Sequence, residues 1–168
     1  WIGPGGDVAL PLYEGRMIGQ FDFSQKGWVS GKGRTAVWRE LPFDAKAFEP
    51  QFLMPGSVYA EHSVGSRSSK LGFMDITSAT NARTMISTGL VYAPCGNKVP
   101  TITLDTSDVA SHLFLSTLTN SFSFDFTART RLGGITLNWF IAEELPLAVS
   151  EESPSIVFCL TRHAARLT

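Results

Sequence analysis

Residues 120–138 read NSFSFDFTARTRLGGITLN. Phe122, Phe124 and Phe126 alternate with small polar residues, as in a strand, and two arginines and a Gly-Gly follow. The residues upstream favour a helix. Thr106, Ser107 and Asp108 are N-cap candidates, and Asp108 would sit near the positive end of the helix dipole. Leu115, Leu118, Phe122 and Phe126 recur at the spacings of three and four that one helix face requires. Asp125 and Arg129 form an i, i+4 pair of opposite charge. Arg129 and Arg131 fall in a last turn, where cations are favoured, and Gly133 can supply a left-handed C-cap. About 25 residues run without a breaker, far more than a usual strand. The pattern therefore predicts one helix over 107–131, with Leu118, Phe122 and Phe126 in the core.

Outward from this segment the signals are shorter. Residues 11–23 read as a strand pair or a bulged strand, and residues 24–34, SQKGWVSGKGR, as a glycine-rich loop. Residues 50–60, 71–78, 84–93 and 101–104 read as extended, and 63–70 as a polar basic loop. ITLNWFI, from residue 135, resumes strand character, and 154–167 suits a C-terminal helix. The expected class is α+β: a mixed antiparallel β-sheet with one long helix and a C-terminal helix, in a single domain over residues 1–168.

Composition sets the first functional limits. With 43% hydrophobic, 17% charged and 12 Phe among 168 residues, the chain is that of a folded globular protein. Its net charge is -1, whereas a free-standing nucleic-acid binder is usually basic. Any DNA role must rest on local charge, and residues 23–39 provide it. That stretch has no acidic residue but carries Lys26, Lys32, Arg34 and Arg39. No apolar run reaches the ~18 residues expected of a membrane span. The opening WIGPGG lacks Met and a basic region before an apolar stretch, which suggests a fragment of a longer protein and no signal peptide. Cys95 and Cys159 form no C-x-x-C pair, and buried reduced thiols in a cytoplasmic protein are expected.

The usual catalytic signatures are missing. GWVSGKGRT fails as a phosphate loop, because three residues separate Gly27 from Gly31 and Gly33 follows Lys32. There is no G-x-S-x-G elbow and no H-E-x-x-H, and His62, His112 and His163 are scattered. Glu143 and Glu144 read as a solvated strand end.

Four stretches taken together resemble one family. LPLYEGRMIGQFDF (10–23), KGWVSGKGRTAVWRE (26–40), FMDITSATNARTMIST (73–88) and LSTLTNSFSFDFTARTRLGGITLNWFIAEELPL (115–147) occur in an order similar to the region that follows the catalytic domain in large DNA adenine methyltransferases. These are the enzymes of restriction-modification and phage-defence systems, including type IIG enzymes and the BREX methylase. The chain departs from the family pattern at Ile135-Thr136, where His is usual, and at Asp75. Neither the N-P-P-Y-like tetrapeptide nor the glycine-rich cofactor motif is present. The resemblance implies a non-catalytic target recognition domain in the bacterial cytoplasm. It would bind duplex DNA beside a methyltransferase domain in cis, which would hold S-adenosylmethionine, and no cofactor or metal would bind in this stretch. The expected DNA contacts are Lys26, Lys32, Arg34, Arg83, Arg129 and Arg131. For Arg83 the alternative is a turn shaped by Asn81 and Thr84 with Arg83 paired to an acid; for Arg129 and Arg131 it is helix-dipole compensation and pairing with Asp125; for the hairpin cations it is simple solvation. The rival function is a protein-interaction module docking onto the methylase or a defence partner.

Overall fold

The structure, a computed structural model, describes residues 1–3, 5–63, 69–104 and 108–147. The expected C-terminal helix and Cys159 lie outside the described residues. The class is α+β, as expected, but the strands among the described residues form three separate antiparallel sheets. The first pairs β1 (Ala9–Pro11) with β4 (Leu53–Pro55). A second joins β2 (Lys26–Ser30) to β3 (Val37–Glu40), with Trp28 opposite Trp38 and a bulge before Ser30. In the third, β5 (Lys70–Phe73) runs between β6 (Ser87–Leu90) and β7 (Thr101–Ile102). Helix α1 (Gly56–His62) follows β4 directly.

As the central strand, β5 has all four residues buried. Its register leaves no room at Gly72, where a Cβ would fall 2.4 Å from Leu90 Cδ1. The buried Lys70 ammonium is compensated by the Ala93 carbonyl, the Tyr59 hydroxyl at 3.1 Å and the face of the Tyr59 ring.

The long helix expected over 107–131 is two helices, α2 (Val109–Thr119) and α3 (Phe122–Arg131). Asn120 causes the break. Its side-chain amide donates to the Ser87 carbonyl and the Ser116 carbonyl, each at 2.9 Å, and its Oδ1 accepts from the Ser87 amide at 3.2 Å. It therefore pairs with β6 as a neighbouring strand would, and the helix stops there. Ser121, with φ −68° and ψ 155°, then caps a new helix by accepting from the Phe124 amide. Of the three cap candidates it is Asp108 that caps α2, accepting from the Ala110 and Ser111 amides.

The restart changes which face is buried. Phe124, Ala128 and Leu132 join Phe73, Met85, Leu137 and Leu145 in one core cluster, while Phe122 and Phe126 are 83% and 66% exposed. Only Leu115 of the predicted stripe is fully buried, and Leu118 is half-buried. Leaving α3, the chain is extended at Leu132, with ψ 105°, so Gly133 is not the left-handed cap. The strand expected from residue 135 shrinks to one bridge, Ile76 with Thr136. Asn138 then accepts from the Ile141 amide and opens α4 (Trp139–Glu143). A second core cluster gathers Tyr13, Met17, Ile18, Leu90, Ala93 and Val99, with Phe48 edge-on to Tyr13 at 5.3 Å.

Candidate functional site

The stretch 24–34, expected as a loop, folds largely into β2 and the turn to β3. Gly31 takes φ +79°, and a Cβ there would sit 2.4 Å from the Thr35 carbonyl oxygen, so the turn needs glycine. The turn is braced from both sides: Trp28 Nε1 and Gln51 Nε2 each donate to the Gly31 carbonyl at 3.0 Å. At the foot of the hairpin Arg39 forms an ion pair with Glu49, its Nε donating at 3.0 Å. Lys32 and Arg34, on the turn, are exposed and have no side-chain partner among the described residues. The result is a fixed backbone presenting two free cations.

Lys26 opens β2 and faces a hollow of about 360 Å³ with Arg16, Gln25, Trp38 and Met74. A second hollow of about 470 Å³ shares Arg16 and Met74 in its wall, and Glu14, Phe52, Asn97 and Lys98 also line it. Sequence reasoning missed this groove. Its parts meet because the backbone of Tyr13 exchanges bonds with Pro94 and Gly96, at 2.9 and 2.8 Å. That places 14–16 against 96–98, a pairing over some eighty positions that no local pattern announces. Among the described residues Arg16 and Lys26 have no ion-pair partner, whereas Lys98 holds the buried Asp75 carboxylate at 2.7 Å. Two polar atoms in the groove's walls are buried without a partner, Glu14 Oε2 and Trp38 Nε1. Burial pushes the Glu14 carboxyl above its ordinary value, opposed by the Arg16 charge.

Of the other expected contacts, Arg83 and Arg129 have internal partners, and Arg131 stays exposed. Asp125, 5% exposed, accepts from the Thr84 and Met85 amides at 2.7 and 2.8 Å and from Arg129 at 3.1 Å. Burial pushes its carboxyl up, but the two amides and Arg129, with Arg83 nearby, outweigh it and hold the value below the ordinary one. Arg83 Nε lies 3.7 Å from Asp125, its NH2 donates to the Asn120 and Ser121 carbonyls, and its guanidinium stacks on Phe122 at 4.8 Å. Arg129 also donates to the Ala79 carbonyl at 2.6 Å and the Ala82 carbonyl at 3.2 Å. Arg131 pairs loosely with Glu144 at 3.5 Å, both well exposed.

Among the described residues no group of His, Cys, Asp and Glu is placed to hold a metal, and no helix is long and apolar enough to cross a membrane. No protein-family model, curated protein or solved structure matches the chain.

Proposed function

We propose that the chain is a duplex-DNA recognition module of a DNA adenine-N6 methyltransferase from a restriction-modification or phage-defence system, itself non-catalytic and cytoplasmic. The observation that carries the DNA reading is the braced β2–β3 turn, with Lys32 and Arg34 exposed and unpaired. Phosphate oxygens are the natural partners for such cations, and a rigid backbone loses little entropy when they bind. Arg16 and Lys26 extend the free positive charge into the groove at the hairpin's base. The methyltransferase partner and its S-adenosylmethionine rest on the sequence resemblance alone. A net charge of -1 predicts modest affinity for the chain by itself, with the catalytic domain supplying further phosphate attraction.

Fluorescence anisotropy with a labelled random-sequence duplex, titrated with salt, tests the reading. Binding should weaken linearly in log-log form as salt rises, and Arg16→Ala combined with Lys26→Ala should flatten the slope by about 1.8 if each contacts one phosphate. Affinity and slope unchanged in that double variant and in Lys32→Ala with Arg34→Ala would remove the DNA assignment.

One feature favours the rival, a protein-docking module: Phe122 and Phe126, one turn apart on α3, are both exposed. Under that reading Phe122→Ser with Phe126→Ser abolishes association with the methylase and leaves DNA binding intact.

A further inference from the structure

A cleft of about 250 Å³ lies between α2 and the β5–β6 pair, with Leu71, Leu90, Val109 and Leu113 among its walls. Besides Ser69 and Lys70, two buried polar residues of α2 line it, His112 and Ser116, which are 6% and 1% exposed. Both carry an atom that is buried and without a partner among the described residues, His112 Nε2 and Ser116 Oγ. Buried polar groups are nearly always satisfied, so two orphans one helical turn apart in a single cleft are a specific feature.

Their chemistry is readable. His112 Nδ1 lies 3.0 Å from the Asp108 carbonyl oxygen, which can only accept. In the neutral ring Nδ1 therefore carries the proton and Nε2 presents a bare lone pair. Ser116 departs from its neighbours on the helix. The Thr117 and Thr119 hydroxyls donate back to the Leu113 and Leu115 carbonyls at 2.9 Å, the usual outlet for a hydroxyl inside a helix. Ser116 does not, and keeps both its proton and its lone pairs free. Among the described lining residues Lys70 is committed to Tyr59 and the Ala93 carbonyl, and none is acidic.

We propose that this cleft binds a small neutral molecule with an aromatic or aliphatic body and one N–H or O–H donor, the class of indole and phenol. The apolar walls take the body, and the donor meets His112 Nε2, with Ser116 Oγ beside it. A formal charge on the ligand finds no free counter-charge among the described lining residues and is disfavoured. Size agrees with the class: an apolar cavity of about 150 Å³ accommodates benzene, and the larger cleft here suits a bicyclic ring. The site is separate from the groove of Arg16 and Lys26 and does not depend on the DNA reading.

Isothermal titration of the full chain with indole, 1-methylindole and phenol tests the proposal, with ¹H–¹⁵N spectra locating the site. Indole and phenol are expected to bind saturably and to shift the amides of α2 and β5. 1-Methylindole, which lacks the donor, should bind about ten-fold more weakly, the worth of one hydrogen bond. His112→Leu should remove the preference for indole over 1-methylindole while keeping apolar affinity. If His112→Leu fails to fold, the comparison of the two ligands on the wild-type chain still decides. Equal affinity for both, shifts confined to another surface, or no saturation with indole and phenol up to their solubility each overturns the assignment.

Discussion

Around Asp125 two arginines and two backbone amides converge on one buried carboxylate; on the turn between β2 and β3, Lys32 and Arg34 extend from a braced backbone and meet no carboxylate among the described residues. In sequence the two sets look alike, as basic residues beside glycine, serine and threonine. What separates them is a buried acid. Desolvating Asp125 is costly unless it is compensated; Arg129 fills one of its lone pairs and Arg83 adds a counter-charge while donating to the Asn120 and Ser121 carbonyls, so both leave the pool of cations free for a partner. The turn has no such debt, so its cations remain available. A basic residue near a buried carboxylate is thus a poor candidate for DNA contact even when it lies at the surface: Arg129 keeps 31% side-chain exposure, yet three of its hydrogen bonds are internal.

The largest expected effect breaks the first region. Asp125→Ala leaves two amides and Arg129 without this acceptor and Arg83 without its nearby counter-charge, and removing one partner of a buried pair typically costs about 3–5 kcal/mol. Urea melts of the variant measure it. A loss below about 1 kcal/mol would show that the network is not needed for folding, and would return Arg83 and Arg129 to the set of DNA candidates.

Next in size is a contrast within α3. Phe124→Ala should cost about 3 kcal/mol or more, as for other buried phenylalanines. Phe122→Ala should cost less than about 1 kcal/mol, chiefly the loss of stacking under Arg83. The same melts measure both, and equal costs would contradict the burial assigned to each ring.

These two rings mark the limit of what the sequence shows. The caps at Asp108 and the pair Asp125–Arg129 were legible because they are local, within four residues. The α+β class was legible because strand-like and helix-like runs alternate in short pieces. The break at Asn120 was not, because its cause is Ser87, thirty-three positions upstream and across the fold. Without that bond an unbroken apolar stripe through Leu118, Phe122 and Phe126 is the reasonable reading; with it, α3 restarts and turns Phe124 inward. For the site, the basic character of the hairpin was legible, but the groove of Arg16, Lys26 and Lys98 was not. It depends on the pairing of Tyr13 with 94–96, for which no residue pattern exists.

Acid should distinguish the two regions more gently. Asp125 has its carboxyl held below the ordinary value in the folded protein, so the unfolded chain takes up the proton first as pH falls. The contribution of this group is fully present above the unfolded value, about 4, and is lost as pH drops through the folded one. Melting temperature should fall more steeply below pH ~4 in the wild type than in Asp125→Asn, which has no proton to take up there. Identical slopes would mean that other carboxylates dominate acid unfolding.

The smallest effect on folding, and the one that sharpens the comparison most, is at the hairpin tip. Lys32→Ala and Arg34→Ala remove exposed side chains that form no hydrogen bond or ion pair among the described residues, so each should leave stability within about 0.5 kcal/mol of wild type. If the turn contacts phosphates, each variant should also lower the slope of log K against log salt by about 0.9, while leaving any base preference intact. Arg83→Ala should do the reverse, with a clear loss of stability and a salt slope unchanged wherever the chain remains folded. The two measurements place each cation independently on the fold or on the partner. A tip variant that destabilises the chain and leaves the slope untouched would show that the turn's cations are structural after all, and the distinction between the two regions would collapse.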